Sequence, residues 1–238
     1  MFSARRIVFS VLLFETLAIV IALALGYLQG NIETPFKEGG LITWISFFQL
    51  LLIAGLSWKV FTLHNGVLNR RGWRSPQMVW AIIAVGFVYL AFDELTLIHE
   101  TLDKFIHNLF VVRETALTDR LDDIIVGFYG LVGIGILYYY REALKKYVEV
   151  FPFLISGFVF LFVMVGFDIV GNRYDPFLTM TENISLRAML HAGLSVAEDL
   201  FKMLSEGMFL VAFYRCCQMA SEQKAAQQEL SGVGIRSR

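Results

Sequence analysis

Long apolar stretches alternate along the chain with short segments of charged and turn residues. A hydrocarbon core about 30 Å thick needs about 20 apolar residues per crossing helix. Six stretches meet that length, at approximately 7–29, 41–63, 77–100, 122–140, 148–170 and 186–215. They predict an all-α polytopic transmembrane bundle forming one domain over 1–220. A polar, Gln-rich tail over 221–238 follows and is expected to be mobile. The first stretch follows Arg5 and Arg6 like a signal peptide, but it exceeds a 7–15-residue signal core and contains Glu15, so it is read as a retained span. Between the third and fourth stretches, Leu102, Phe105, Ile106, Leu109 and Phe110 recur at helical spacing among charges. That segment is expected to extend the third helix or lie along the membrane interface.

Composition agrees with lipid as the solvent. The 238 residues are 57% hydrophobic and 17% charged, against about 45–50% and about 25% in ordinary globular domains. A net charge of −1 without a basic domain excludes nucleic acid as a partner. The two cysteines, Cys216 and Cys217, are adjacent and build neither a disulfide framework nor a CxxC metal site.

Orientation follows from Lys and Arg. Alternating the spans places Arg5, Arg6, Lys59, Arg70, Arg71, Arg74, Arg141, Lys145, Lys146, Arg215, Lys224, Arg236 and Arg238 on one side. Lys37, Lys104, Arg113, Arg120, Arg173 and Arg187 fall on the other, and Lys202 falls inside a span. The excess marks the first side, with both termini, as cytoplasmic.

The chemistry lies in charges kept within the spans, where each central Asp, Lys or Arg costs about 2.5–3.5 kcal/mol on insertion scales. In the third stretch Asp93, Thr96, Glu100, Asp103 and His107 fall on one helical stripe with His99 beside it. The sixth repeats the pattern with His191, Ser195, Glu198, Lys202 and Glu206, and Asp199 at its edge. Asp122 and Asp123 open the fourth span at the same outer level, and Asp168, Asn172 and Arg173 close the fifth there. Such stripes must face one another or a wet cavity. Interior acids outnumber interior bases, and histidine with carboxylate suits Zn, Fe, Mn or Cu. The expected divalent-metal ligands are therefore Asp93, His99, Glu100, His191, Glu198 and Asp199, and the expected catalytic residues are Glu94, as general base, and Lys202. A purely structural polar network and a subunit interface stay open beside a cation site. Glu15 is read as a protonated acid hydrogen-bonded to a neighbouring helix, with a proton relay as the other reading. Gly130, Gly133, Gly135 and Gly157 are read as close-packing points.

Asp93-Glu94-x4-His99-Glu100 resembles the LDE-x4-HE helix of a group of uncharacterised bacterial multi-spanning membrane proteins. Ala197-Glu198-Asp199-Leu200-Phe201 resembles their downstream EE-x2-E helix, with Lys202 where a third acid is expected. The resemblance implies a shared design of two helices and a bacterial inner membrane, and carries no activity with it. Three functions compete. The first is a membrane-embedded metalloenzyme acting on a lipid or other hydrophobic substrate, although no HExxH is present. The second is a cation or proton transporter using the acidic stripes. The third is an accessory subunit. The expected partners are membrane lipids and another membrane protein or a second copy of the chain.

Overall fold

The computed structural model describes residues 4–65, 75–110, 121–171 and 184–236. Arg70, Arg71, Arg74, Arg113, Arg120, Asn172, Arg173 and the side chains of Asp122 and Asp123 lie outside the described residues. Every described element is helical: α1 Ala4–Leu28, α2 Leu41–Asn65, α3 Met78–Thr96, α4 Ile98–Phe110, α5 Leu121–Tyr139, α6 Arg141–Leu144, α7 Phe151–Gly171 and α8 Ile184–Arg236. Tight 3₁₀ segments lie at Thr34–Phe36 and Lys145–Val150.

Among the described residues four stretches are long and apolar enough to cross a membrane: Arg5–Leu28, Thr34–His64, Met78–Thr96 and Arg141–Val170. Their surfaces suit lipid. On α1 Phe9, Phe14, Leu17 and Ile21 point outward, while Glu15, Ala18 and Ala22, spaced at one helical face, are buried against the bundle. The chain is thus an all-helical protein of membrane type. The apolar part of α5, Ile124–Tyr139, is shorter than these four. α8 is 53 residues long and keeps Glu198, Asp199, Lys202 and Glu206 in its middle. It continues as helix through Ser221 to Arg236, so the segment expected to be a mobile tail is helical.

α8 is the spine of the bundle and packs on α7, α2 and α1, while α2 also packs on α3. Gly157 of α7 sets the closest approach: a Cβ there would lie 2.6 Å from Phe209 Cε1 on α8, and Ser205 Oγ donates to the Gly157 carbonyl at 2.9 Å. Gly130 plays the same part between α5 and α7, against Leu161, whereas a Cβ on Gly135 would meet open space. Beyond this seam lies an aromatic end. Trp80 meets Tyr147 and Phe213 edge to face, and Phe87 meets Phe209 and Phe213, with centroids 5.0–6.3 Å apart. Cys216 and Cys217 are buried here as small apolar residues.

The third span differs from the expectation of one helix over 77–100. α3 stops at Thr96, Leu97 takes the left-handed conformation at φ 53°, and α4 starts at Ile98. Asp93 explains the break. Its Oδ1 accepts the His99 backbone N–H at 2.8 Å, so the carboxylate satisfies the exposed first turn of α4 instead of facing along α3. Leu97 carries a conformation that an L residue enters only at a cost.

Candidate functional site

The break re-phases the acidic stripe. Thr96, the last residue of α3 and ahead of the break, is exposed and bonds back to the Phe92 carbonyl; beyond the break Asp103 and His107 pair with each other along α4 at 2.8 Å. Asp93 and Glu94 remain at the end of α3, and the fold-back at Leu97 brings His99 and Glu100 over them.

These groups line one cavity of about 620 Å³, enclosed chiefly by α2, α3, α5, α7 and α8. One part of its wall is apolar, made by Ile83, Phe87, Ile136, Leu154, Phe158 and Phe213. The other part is charged. It brings together Asp93, Glu94, His99, Glu100, Glu198, Asp199 and Lys202, the residues expected from two distant stretches of sequence, and adds Asp168 and Glu206. His191 is not part of this wall; its Nδ1 lies 3.7 Å from Glu33 Oε1, beside the turn that precedes α2. Ser195 lines the cavity although Thr96 does not, so α3 and α8 meet through side chains around a hollow.

Within the charged part, Lys202 is the organiser. Its Nζ lies 2.8 Å from Glu94 Oε1 and 2.8 Å from Asp199 Oδ1, and Asp199 is buried. An ammonium with three N–H donors suits two carboxylates taken from two helices. Asp93 holds His99 through Oδ2 and Nδ1 at 3.0 Å. Glu100 accepts from Lys104 Nζ at 3.0 Å and shares a hydrogen bond with Glu38 from the turn before α2. A carboxyl–carboxyl hydrogen bond requires that one of the two holds a proton. The Tyr89 and Tyr129 hydroxyls, 2.6 Å apart, close the side between α3 and α5.

Of the expected ligands, Asp93 and His99 are engaged with each other, Glu100 and Asp199 with lysines, and His191 lies beside Glu33. Among the described residues no group of three or more His, Cys, Asp or Glu side chains is placed to hold a metal ion. Glu94, expected as a general base, is ion-paired with the Lys202 ammonium at 2.8 Å. What the arrangement offers is a surplus of carboxylate beside an apolar wall.

Three features escape a reading by stripes. Glu38 is a loop residue, and Tyr89 and Tyr129 each carry one hydroxyl within an apolar helix. Glu15 looks isolated in sequence, yet Gln49 Nε2 donates to its Oε1 at 2.6 Å, the expected bond to a neighbouring helix. Ser46 of the same helix donates to Glu206 Oε1. The legible signal was Ser46, Gln49 and Ser57, three polar residues on one face of an otherwise apolar helix, all buried.

The chain belongs to the family defined by a domain of unknown function (DUF8692), which matches residues 7–217. No curated protein and no solved structure matches it.

Proposed function

We propose that this is a multi-pass protein of a bacterial inner membrane that binds an amphipathic molecule with a cationic head in the cavity between α3 and α8. The observation that carries this reading is the divided wall of the cavity: Asp93, Glu94, Glu100, Glu198, Asp199 and Glu206 against Lys202 and His99 in one part, and aliphatic and phenyl side chains in the other. An excess of carboxylate in a low-dielectric place calls for a cation, and the apolar wall calls for an attached chain. A ligand ammonium has the bonding needs that Lys202 already meets between Glu94 and Asp199. In this reading Glu94 and Lys202 set the charge of the chamber and do not perform catalysis.

The topology that goes with it has six spans, α1, α2, α3, α5, α7 and α8, and both termini cytoplasmic. It is supported by the four long apolar helices and by the 13 basic residues falling on one side against 6 on the other. It puts the charged part of the cavity toward the outer leaflet. Reporter fusions after residues 68 and 112 and at the C-terminus should read inside, outside and inside.

The binding experiment uses purified protein and three probes of equal chain length, an alkylamine, an alkanol and an alkyl sulfate. The amine should raise the melting temperature, and Glu198→Gln should weaken that response. Equal stabilisation by the alkanol, or preference for the sulfate, would overturn the cationic head. A divalent metal is the second reading, favoured because five of its six expected ligands line the same cavity. It would have to displace the Asp93–His99 and Lys202 pairs, and stoichiometric metal in elemental analysis, lost on Glu198→Gln, would establish it.

A further inference from the structure

Deeper in the bundle, three helices aim oxygen at one another. Glu15 of α1, Gln49 of α2 and Glu206 of α8 are each more than nine-tenths buried. Gly207 makes the meeting possible, since a Cβ at that position would lie 2.7 Å from Glu15 Oε1 and 2.9 Å from Val11 Cγ1. The carboxyl of α1 thereby rests against the backbone of α8 one residue from Glu206. The donors present are few. Gln49 Nε2 serves Glu15 Oε1, and Ser46 Oγ serves Glu206 Oε1. Three acceptors, Glu15 Oε2, Gln49 Oε1 and Glu206 Oε2, have no hydrogen-bond partner. Buried polar groups are almost always satisfied, and three adjacent orphans of one kind, all acceptors, point to something positive.

The neighbouring charges do not supply it. Lys202 is the cation facing Glu206 along α8, and its ammonium is bonded to Asp199 and to Glu94 of α3. Glu94 adds negative charge from the far side, and the α2 groups that reach the cluster, Ser46 and Gln49, are neutral.

We propose that Glu15, Gln49 and Glu206 form a second cation position, separate from the cavity except for Glu206, which takes one small hard monovalent cation. Oxygen-only donors exclude a soft metal, and the few donors fall short of the six to eight oxygens that Ca²⁺ takes. H⁺ and Na⁺ share the remaining chemistry. A proton on either carboxyl would supply the donor that Gln49 Oε1 lacks, and Na⁺ would draw on all three orphans. With the Lys202 cluster above it, the position makes a ladder of charge from the outer cavity into the middle of the bundle.

The test uses the full-length protein at constant ionic strength, with Na⁺ replaced by choline. A melting temperature that climbs with the logarithm of Na⁺ concentration in wild type, and stays flat in Glu15→Gln and Glu206→Gln, identifies Na⁺. Glu198→Gln, expected to weaken the alkylamine response, should keep the Na⁺ response, so the two sites fail independently. Indifference to Na⁺ together with a protonated-carboxyl infrared band that Glu15→Gln or Glu206→Gln removes identifies H⁺. Should either variant fail to fold, Glu15→Asp and the wild-type titration and spectrum still decide. Wild-type protein with neither a Na⁺ response nor a protonated-carboxyl band would overturn the proposal.

Discussion

The two ends of the bundle solve the same packing problem with different materials. At the aromatic end Trp80 and Tyr147 interlock with Phe213 beside α8, and Phe209 and Phe213 carry that packing up to the apolar wall of the cavity. At the polar end α3 and α8 carry acids, and the helices stand around a cavity bridged by Lys202. Phenyl rings adapt to one another edge to face and need no partner beyond shape. Carboxylates cannot be left against hydrocarbon, so each draws a cation or a donor toward itself and holds the backbones apart. Close packing gives one end its rigidity, and charge keeps the other end open.

The largest effect expected is at Lys202. Replacing it with Met leaves Glu94 and Asp199 facing each other with their cation removed, and breaking such a buried cluster costs about 3–5 kcal/mol. Adding Glu94→Gln and Asp199→Asn should restore most of the loss, because the penalty lies in uncompensated charge. Unfolding in a denaturing detergent series measures both variants. A neutral Lys202→Met would show that another cation or protons already balance the acids, and the contrast between the two ends would lose its basis.

Next comes Trp80→Ala at the other end, a buried ring that does not line the cavity. Truncating a core aromatic costs about 3–5 kcal/mol in water-soluble proteins, and the lower part of that range applies where lipid replaces water as the reference. No second substitution in a charged group should rescue it. The cavity at the polar end should keep its alkylamine response in this variant, which separates packing from chemistry.

Gly157→Ala tests the seam between the ends. The added methyl meets Phe209 at 2.6 Å, so α7 and α8 must part or the ring must turn, at about 1–3 kcal/mol. Because Ser205 bonds the Gly157 carbonyl on the same seam, the change should also widen the cavity and weaken alkylamine binding.

How much of this could be read from the chain differs between the same two ends. The helical class and the four membrane-length apolar stretches followed from length and hydropathy, since a bilayer imposes both. The acids of the cavity were also visible, because charge inside a span is rare enough to mark itself. Their arrangement was not visible. It turns on Leu97, an ordinary helix-forming residue whose conformation is set by a side chain four positions earlier. A continuous helix would keep Glu100, Asp103 and His107 in phase with Asp93, and the break at Leu97, with Asp93 capping α4, re-phases every residue after it. For Glu15 the bond to a neighbouring helix was legible but the partners were not: Gln49 and Gly207 come from helices 34 and 192 positions along the chain, a juxtaposition that no local period encodes.

The smallest effect expected is the most direct test of where charge is held outside the spans. Glu100 lies in α4, beyond the break. Partial burial works to raise its pKa, but hydrogen bonds from Lys104 and Glu38 and the charges of Lys104 and His99 outweigh it, holding the group below the ordinary glutamate value. A pKa that is lower in the folded state means that the ionised form is favoured by folding. Glu100 therefore contributes stability that is present above the ordinary value and disappears as pH falls through the depressed one. Lys104 mirrors it. Its pKa is raised first by the hydrogen bond to Glu100, so its share is present below the ordinary lysine value and is lost only as pH climbs through the raised one. Melting temperature against pH should accordingly fall on the acid side more steeply in wild type than in Glu100→Gln. Glu38→Gln keeps a donor toward Glu100 through its amide and should retain the acid-side fall. If Glu100→Gln reproduces the wild-type curve, the fold-back of α4 owes nothing to this cluster, and Asp93 alone holds it in place.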